Sequence, residues 1–534
     1  MKRITIISLI CCFTFCITSA QRRNFRQEFL DYNTQQHNRF EDTRSEQQKS
    51  FDEKRKEQNR TYIGYLRELW KQYEATEPLQ PETINQIIPM EYSDTATTIL
   101  NTPLSIDTQP VVLHDAEEPI VSTNAVAFAG DTAKINHEEL VIIPHSFPRP
   151  EPIAHIQPIE QECEIVSVAL YGTLISVSFP KDANLSLQSI NEDGIAALWE
   201  QMSDTVVPSR FDITISSCLK LRNDMNLCDW AYLKMVQAIA KRRYGNTNVA
   251  TIFAAYIMAQ SGYQMRLAFT ESYVYMLLAS HHEIYGMNRF LLQDVWYYMI
   301  DGRGEKTCYI SNVGYDKEQK LSLFITDELK IDTELSDTII AISRQGWSLP
   351  IQTNINLIKF YNEYPSGRIF YGDESSKWLI GVNTPLDGVT KKVLYPQIRQ
   401  LVRDLTPWQA VDKILNWVQT AFKYNSDDTV WGYDRAFFAA ETLYYPYSDC
   451  EDRAILFTTL VREILGLDVV LLYYDNPCHL ATAVHFPHEE PAGEFVRYNN
   501  KRYIVCDPTY LNAPIGKKMT CFKDKQPKIV VINN

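Results

Sequence analysis

Ser448-Asp449-Cys450-Glu451-Asp452-Arg453, then Cys478-His479, then Cys506-Asp507-Pro508-Thr509-Tyr510, is the stretch on which the fold turns. It sets one thiol, one imidazole and one carboxylate in order on three separate segments. A thiolate nucleophile needs a base to take its proton, and the base needs a third group to hold its ring. Downstream of Cys450, the residues Ala454, Ile455, Phe457, Leu460, Val461, Ile464 and Leu465 recur at helical spacing, and Gly466 follows as a stop. Cys450 is therefore expected at a helix N-terminus, where unpaired N–H groups and the helix dipole lower a thiol pKa. Asp449, Glu451 and Asp452 act the other way, which leaves a paired imidazolium and Arg453 to offset them.

The segment from His479 to Phe486 reads as a strand, and Tyr503-Ile504-Val505-Cys506 reads as a second, ended by Asp507 and Pro508. If the two pair, His479 and Asp507 lie side by side, one imidazole nitrogen on the carboxylate and the other toward the thiol. Cys478 and Cys506 then point to the opposite face, away from Cys450, and form the candidate disulfide. His485 shares the strand parity of His479 and is the rival base, six residues further along. His488 falls in the loop Pro487 to Gly493 and is expected in solvent.

The order helix, loop, Cys at a helix start, strand beginning with His and strand ending in Asp-Pro-Thr resembles the transglutaminase-like superfamily, whose cores share the papain-type cysteine arrangement. The resemblance covers roughly Leu405 to Pro514 and includes Pro407-Trp408 through Trp417-Val418 to Tyr424, similar to the family helix that precedes the nucleophile. It implies an α+β fold with Cys450 as nucleophile, His479 as general base and acid, and Asp507 as the orienting carboxylate. Crosslinking enzymes, deamidases, peptidases, peptide N-glycanases and inactive binding modules all belong to that superfamily, so the reaction stays open. The loop before Cys450 supplies Trp431, Tyr445 and Tyr447 as candidates for a substrate cleft. The Cys450 backbone N–H is the expected oxyanion donor, with Trp431 as a second. No cofactor is expected, and no metal, since the cysteines contain no close C-x-x-C pair.

Length and charge bound the rest. A chain of 534 residues, 45% apolar, is too long for one ordinary domain. The net charge of −14 excludes a nucleic-acid groove, which needs clustered cations. Residues 1–20 carry Lys2 and Arg3, an apolar run from Ile4 to Ile17, and Thr18-Ser19-Ala20, the layout of a secretory signal cleaved near Ala20/Gln21. Its short length and Thr-Ser-Ala-Gln junction look bacterial, Bacteroidetes-like in particular. No later run is long enough to span a membrane. The expected partner is a peptide or protein substrate in the cell envelope or outside the cell, with no nucleic acid and no transmembrane segment; oligomeric state is not legible.

Residues 21–77 read as a long helical arm, because Phe29, Phe40, Phe51 and Tyr62 stand 11 apart, about three helical turns. The stretch from Tyr62 to Tyr73 is more amphipathic and is expected to dock. Residues 78–160 read as a Pro-rich extended connector. Residues 161–303 read as a degenerate transglutaminase-like copy. Aligning Gly262 with Gly466 sets Asn246 opposite Cys450 and, two residues out of step, Asp301 opposite Asp507; His479 falls on Val274 or Tyr275. The first copy then lacks both thiol and base. Its His281-His282 pair is expected at the surface. Residues 304–390 read as a β-rich intervening module, with strands at Leu321–Phe324, Thr338–Ala341 and Trp378–Gly381. Residues 391–534 form the copy that keeps the Cys-His-Asp set. An exported thiol enzyme acting on amides, with hydrolysis favoured over crosslinking, is the leading expectation, and a non-catalytic envelope scaffold is the alternative.

Overall fold

The computed structural model describes residues 49–80 and 146–532, except 51, 155, 157–160, 204–208, 370–373 and 432. The expected signal sequence, the expected aromatic stripe before Tyr62 and most of the expected connector lie outside the described residues. Helix α1 covers 52–68. Its face made by Arg55, Asn59, Tyr62, Ile63 and Leu66 is buried, while Tyr65 and Leu69 are about half exposed. That is the i, i+4, i+7, i+8, i+11 stripe of a helix lying on a body. Tyr62 stacks on Tyr315 with ring centroids 4.4 Å apart, and Arg55 forms a bidentate pair with Asp212 at 2.8 Å. Burying the three apolar side chains contributes about 1.5–3 kcal/mol each.

The chain continues through β1 (Trp70–Glu74), the hairpin β2 (Cys163–Leu170) and β3 (Thr173–Pro180), and helices α2 (Glu192–Ser203), α3 (Asp212–Asp224), α4 (Asp229–Tyr244) and α5 (Asn248–Gln260). Strands β4 (Met265–Phe269), β5 (Val274–Ala279), β6 (His282–Ile284), β7 (Arg289–Leu292), β8 (Val295–Ile300) and β9 (Thr307–Ser311) follow. All but β2, β3 and β6 join one antiparallel sheet in the order β1-β9-β4-β5-β8-β7. The docked arm thus hands the chain to the sheet's edge.

Next come the hairpin β10 (Ile339–Ile342) and β11 (Ser348–Ile351), helix α6 (Ile355–Asn362), β12 (Gly367–Ile369) paired to β6, and helices α7 (Trp378–Asn383), α8 (Gly388–Val402) and α9 (Pro407–Ala421). The segment Trp378–Gly381 is helical, not a strand. A four-residue apolar run carries no period that separates the two, and packing decides: Trp378 is buried, and Gly381 lets α7 approach Ile455 so closely that an added Cβ would stand 2.8 Å from its Cδ1. Leu321–Phe324 also forms no strand. Leu321 makes one isolated bridge to Ser280, and its apolar neighbours fill the core from a loop.

The last part runs through β13 (Lys423–Tyr424), α10 (Asp427–Val430), α11 (Ala439–Tyr444), β14 (Tyr447–Ser448), α12 (Cys450–Leu460), β15 (Val469–Asp475), β16 (Cys478–His485), β17 (Phe495–Tyr498), β18 (Lys501–Cys506) and β19 (Lys528–Val531). The chain is thus α+β, with the second sheet antiparallel in the order β17-β18-β16-β15-β19. The first sheet, without β1, has the same connectivity: β7-β8-β5-β4-β9. In each, a helix leads into the strand next to the edge, α5 into β4 and α12 into β15, and the last strand returns beside that strand. One continuous apolar core runs from Tyr62 to Ile532 and takes in the helices of both parts. The far face of each sheet holds its own smaller cluster. Among the described residues, no helix is long and apolar enough to cross a membrane.

Candidate active site

Cys450 is the first residue of α12. Ser448 pairs with Tyr424 in the short parallel pair β13–β14, so the chain arrives extended and turns helical at Asp449. The Asp449 N–H donates to Asp452 Oδ2 at 3.1 Å, one arm of a capping box. Asp452 Oδ1 accepts the Phe437 N–H at 2.8 Å. The two oxygens of the Asp452 carboxylate thus hold the helix start and the preceding loop together. The Arg453 guanidinium spends its hydrogen bonds on the Gln419 and Phe422 carbonyls at the end of α9 and on Ser448 Oγ, and acts on Asp449, Asp452 and Cys450 through its charge.

The Cys450 thiol is 3% exposed. It donates to Glu451 Oε2 at 2.9 Å, and the Leu480 N–H points at the sulfur. Burial, then the charges of Glu451 and Asp449, push the thiol well above its ordinary pKa. The helix dipole therefore loses to desolvation and like charge. Glu451 is itself raised to about 7 by burial and by Asp449. It hydrogen-bonds Asp434, raised to about 6 by burial and by Glu451, and Asp434 pairs with buried Lys377 at 2.6 Å. A line of groups thus runs Cys450, Glu451, Asp434, Lys377. Donor atoms of Asp427, Asp434 and Glu451, of Asp427, Asp449 and Asp452, and of Asp449, Cys450 and Glu451 fall within 4.8 Å of one another in each trio. Such a pocket could hold a cation; protons on the raised carboxylates relieve the same repulsion.

His479, on β16, bonds Asp507 Oδ2 through Nε2 at 2.9 Å. Asp507 ends β18, and its other oxygen accepts the N–H groups of Thr509 and Tyr510 at 3.0 and 3.2 Å. This explains the local motif: Pro508 has no N–H, and the carboxylate caps the turn after it. The imidazole stacks on Phe522, centroids 5.2 Å apart. His479 has the parity of Ala481 and Ala483, which belong to the cluster on the sheet face away from α12; Leu480 and Val484 belong to the core that holds Cys450. The thiol and the ring therefore do not share a sheet face. The pairing of β18 with β16 stops at Cys506↔Thr482, and beyond it the Leu480 N–H reaches the sulfur. Among the described residues, no hydrogen bond joins Cys450 to His479.

Cys478 and Cys506 lie on the α12 side, reversing the expected placement. Cys506 is buried in the core with Cys450, Cys478 packs against that core, and both are free thiols. The pairing of His479 with Asp507 fixes their parity, but α12 covers the other face. His485 bonds the Arg502 carbonyl at 3.0 Å, at the far end of β16, and His488 is exposed.

Trp431 and Tyr445 meet in one group, rings 5.1 Å apart, with the Arg435 guanidinium over Trp431 at 4.8 Å. Tyr445 donates to Asn362 at 2.8 Å. Tyr447 stands apart, opposite Lys423 in β14. A cavity of about 60 Å³ beside this group is lined by Tyr361, Tyr364, Lys377, Asp434, Arg435 and Phe438, among others. Sequence reasoning missed Asp434 and Lys377, which stand 16 and 73 positions before Cys450 and carry no local signal. Glu451 was visible as an acidic neighbour, but its bond to the thiol was not. A comparison with curated proteins finds no match. Residues 397–469, from the second half of α8 through Cys450 and α12 to the first residue of β15, match the profile of the transglutaminase-like superfamily.

Proposed function

We propose that the protein is an exported thiol enzyme that acts on peptide or side-chain amides through a thioester at Cys450. The observation that carries this reading is the placement of the Cys450 sulfur against the N–H of Leu480, the residue after His479, while His479 is held by Asp507. Nε2 is occupied, so Nδ1 is the nitrogen left for the thiol. For turnover the S–H bond to Glu451 breaks, and Nδ1 takes the proton. The thiolate then attacks the amide carbon, and His479 returns the proton to the leaving amine. Water, favoured over an amine, attacks the thioester, His479 taking its proton, and releases the acid and the thiol. The Cys450 N–H is the oxyanion donor and Trp431, in its aromatic group with Tyr445, a second; Trp431 and Tyr445 form the substrate wall, and Tyr447 lies outside it.

The domain reading goes with it. A first copy without thiol or base, and a second that keeps them, is supported by the shared strand order of the two sheets. The export signal, the bacterial origin and the extension of α1 into a long arm rest on residues 1–51. The scaffold reading has one observation in its favour: a buried thiol bonded to a carboxylate rather than to an imidazole. Iodoacetamide labelling at about pH 6 to 7, followed by peptide mass spectrometry, separates the two. The enzyme reading expects Cys450 to label faster than an ordinary buried thiol and to slow about tenfold or more in His479→Ala. A Cys450 indifferent to that substitution sinks it.

A further inference from the structure

The first sheet carries a cleft of about 460 Å³ at the start of α5, in the place that Cys450, β16 and β18 occupy around the second sheet. By helix start, Asn248 stands where Cys450 stands, rather than Asn246. By strand register, Tyr273 stands where His479 does: each lies three residues before the residue paired with the end of the following strand, Met276↔Ile300 and Thr482↔Cys506. Asp301 follows β8 as Asp507 follows β18. Asn248 spends its amide on structure, donating to the Ser272 carbonyl at 3.1 Å and accepting the Val274 N–H at 3.0 Å. Asp301 accepts from Gln237 at 2.9 Å and pairs with Lys241 and Lys234 at 3.4 and 3.8 Å. Nothing here can run thiol chemistry, yet the cleft has stayed open.

Its charge differs from the rest of the chain. Lys241 and Arg303 line it against the single carboxylate of Asp301, and the start of α5 adds the positive end of a helix. Glu305, nearby, lies outside the lining, with its carboxylate on the Tyr275 hydroxyl and the Arg303 N–H. The Arg303 guanidinium sits 4.1 Å over the Tyr273 ring, which stiffens both. A lone carboxylate or phosphate would leave most of the volume empty, whereas a cleft of a few hundred Å³ with apolar Val274, Met276 and Ile300 fits two or three residues of a peptide. In a protein of net charge −14, a cationic concavity is a selective place for an anion.

We propose that this cleft is a non-catalytic site that binds acidic peptide segments, with Lys241 and Arg303 as charge partners and Tyr273 as a flat wall. It stands independently of turnover at Cys450. The test is fluorescence anisotropy of a fluorescein-labelled ten-residue peptide of alternating Glu and Gly with the full chain. The double variant Lys241→Glu/Arg303→Glu is expected to weaken binding about tenfold or more. The equally charged control Lys220→Glu/Lys413→Glu and the conservative Lys241→Arg/Arg303→Lys should bind as the parent does. Cys450→Ala should also leave binding unchanged. Equal binding by the cleft variant and the control overturns the proposal, and so does loss of binding in Cys450→Ala alone. Inorganic phosphate competing as strongly as the unlabelled peptide would also overturn it, by reducing the site to a simple anion site.

Discussion

The Cys450 thiol hydrogen-bonds the carboxylate of its own neighbour, Glu451, at 2.9 Å, while His479 bonds Asp507 at the same distance. The Glu451 carboxylate therefore stabilises the protonated thiol, and the imidazole is held by a carboxylate of its own. Releasing the thiol from Glu451 is the step that any chemistry at this site must include.

Glu451→Gln tests that step. Removing the negative charge favours the thiolate, so the alkylation profile of Cys450 should move to lower pH by about one unit, about tenfold in rate at neutral pH. Measured labelling rates between pH 5 and 9 check it. A profile that stays put means Glu451 does not govern the thiol.

Glu451 also links stability to pH. Its folded pKa is raised to about 7 from an ordinary value of 4.5, so the folded state holds a proton that the unfolded chain releases. The stabilisation is complete below about 4.5 and is lost as pH rises through about 7. Calorimetric Tm values at pH 5 and pH 8 should show a smaller fall for Glu451→Gln than for the parent. An equal fall contradicts the link.

Asp507 does two jobs that substitutions can separate. Asp507→Ala leaves the Thr509 and Tyr510 N–H groups without their acceptor and should cost about 2–4 kcal/mol, with faster amide exchange in 507–510. Asp507→Asn keeps an acceptor for the turn but loses the charge that orients His479. It should therefore fold with near-parent protection and lower the reactivity of Cys450 about tenfold or more. Denaturant curves and exchange mass spectrometry read the first effect, labelling the second.

The docking of α1 rests on the buried pair of Arg55 with Asp212, each 1% exposed. Arg55→Ala leaves a buried carboxylate uncompensated and should destabilise by about 3–5 kcal/mol. Arg55→Met/Asp212→Leu, which removes both charges, should recover much of that. A double variant as unstable as the single would show that the loss is one of packing. Urea unfolding followed by tryptophan fluorescence measures both.

Local pattern alone determined much here. The apolar period after Cys450 with Gly466 at its end specifies α12, whose last turn widens before Gly466 takes φ +67°. Asp507-Pro508 specifies the end of β18, because proline lacks the donor a ladder needs. The strand expected at Thr338–Ala341 forms one residue later, as β10. These are properties of a few neighbouring residues, which a linear sequence records.

Other features belong to the tertiary structure. Trp378–Gly381 is a helix packed on α12, where Gly381 meets Ile455, 74 positions away, too closely to leave room for a Cβ. Cys478 and Cys506 turned to the α12 side because the helix covers the face opposite His479. The charge state of Cys450 was decided likewise. The sequence gives a helix terminus and three nearby acids, whose effects oppose one another. Only the depth of burial of the thiol, with the charges of Glu451 and Asp449 held beside it, sets the sign. Desolvation depends on everything packed around a group, and that sum is written nowhere in the order of residues.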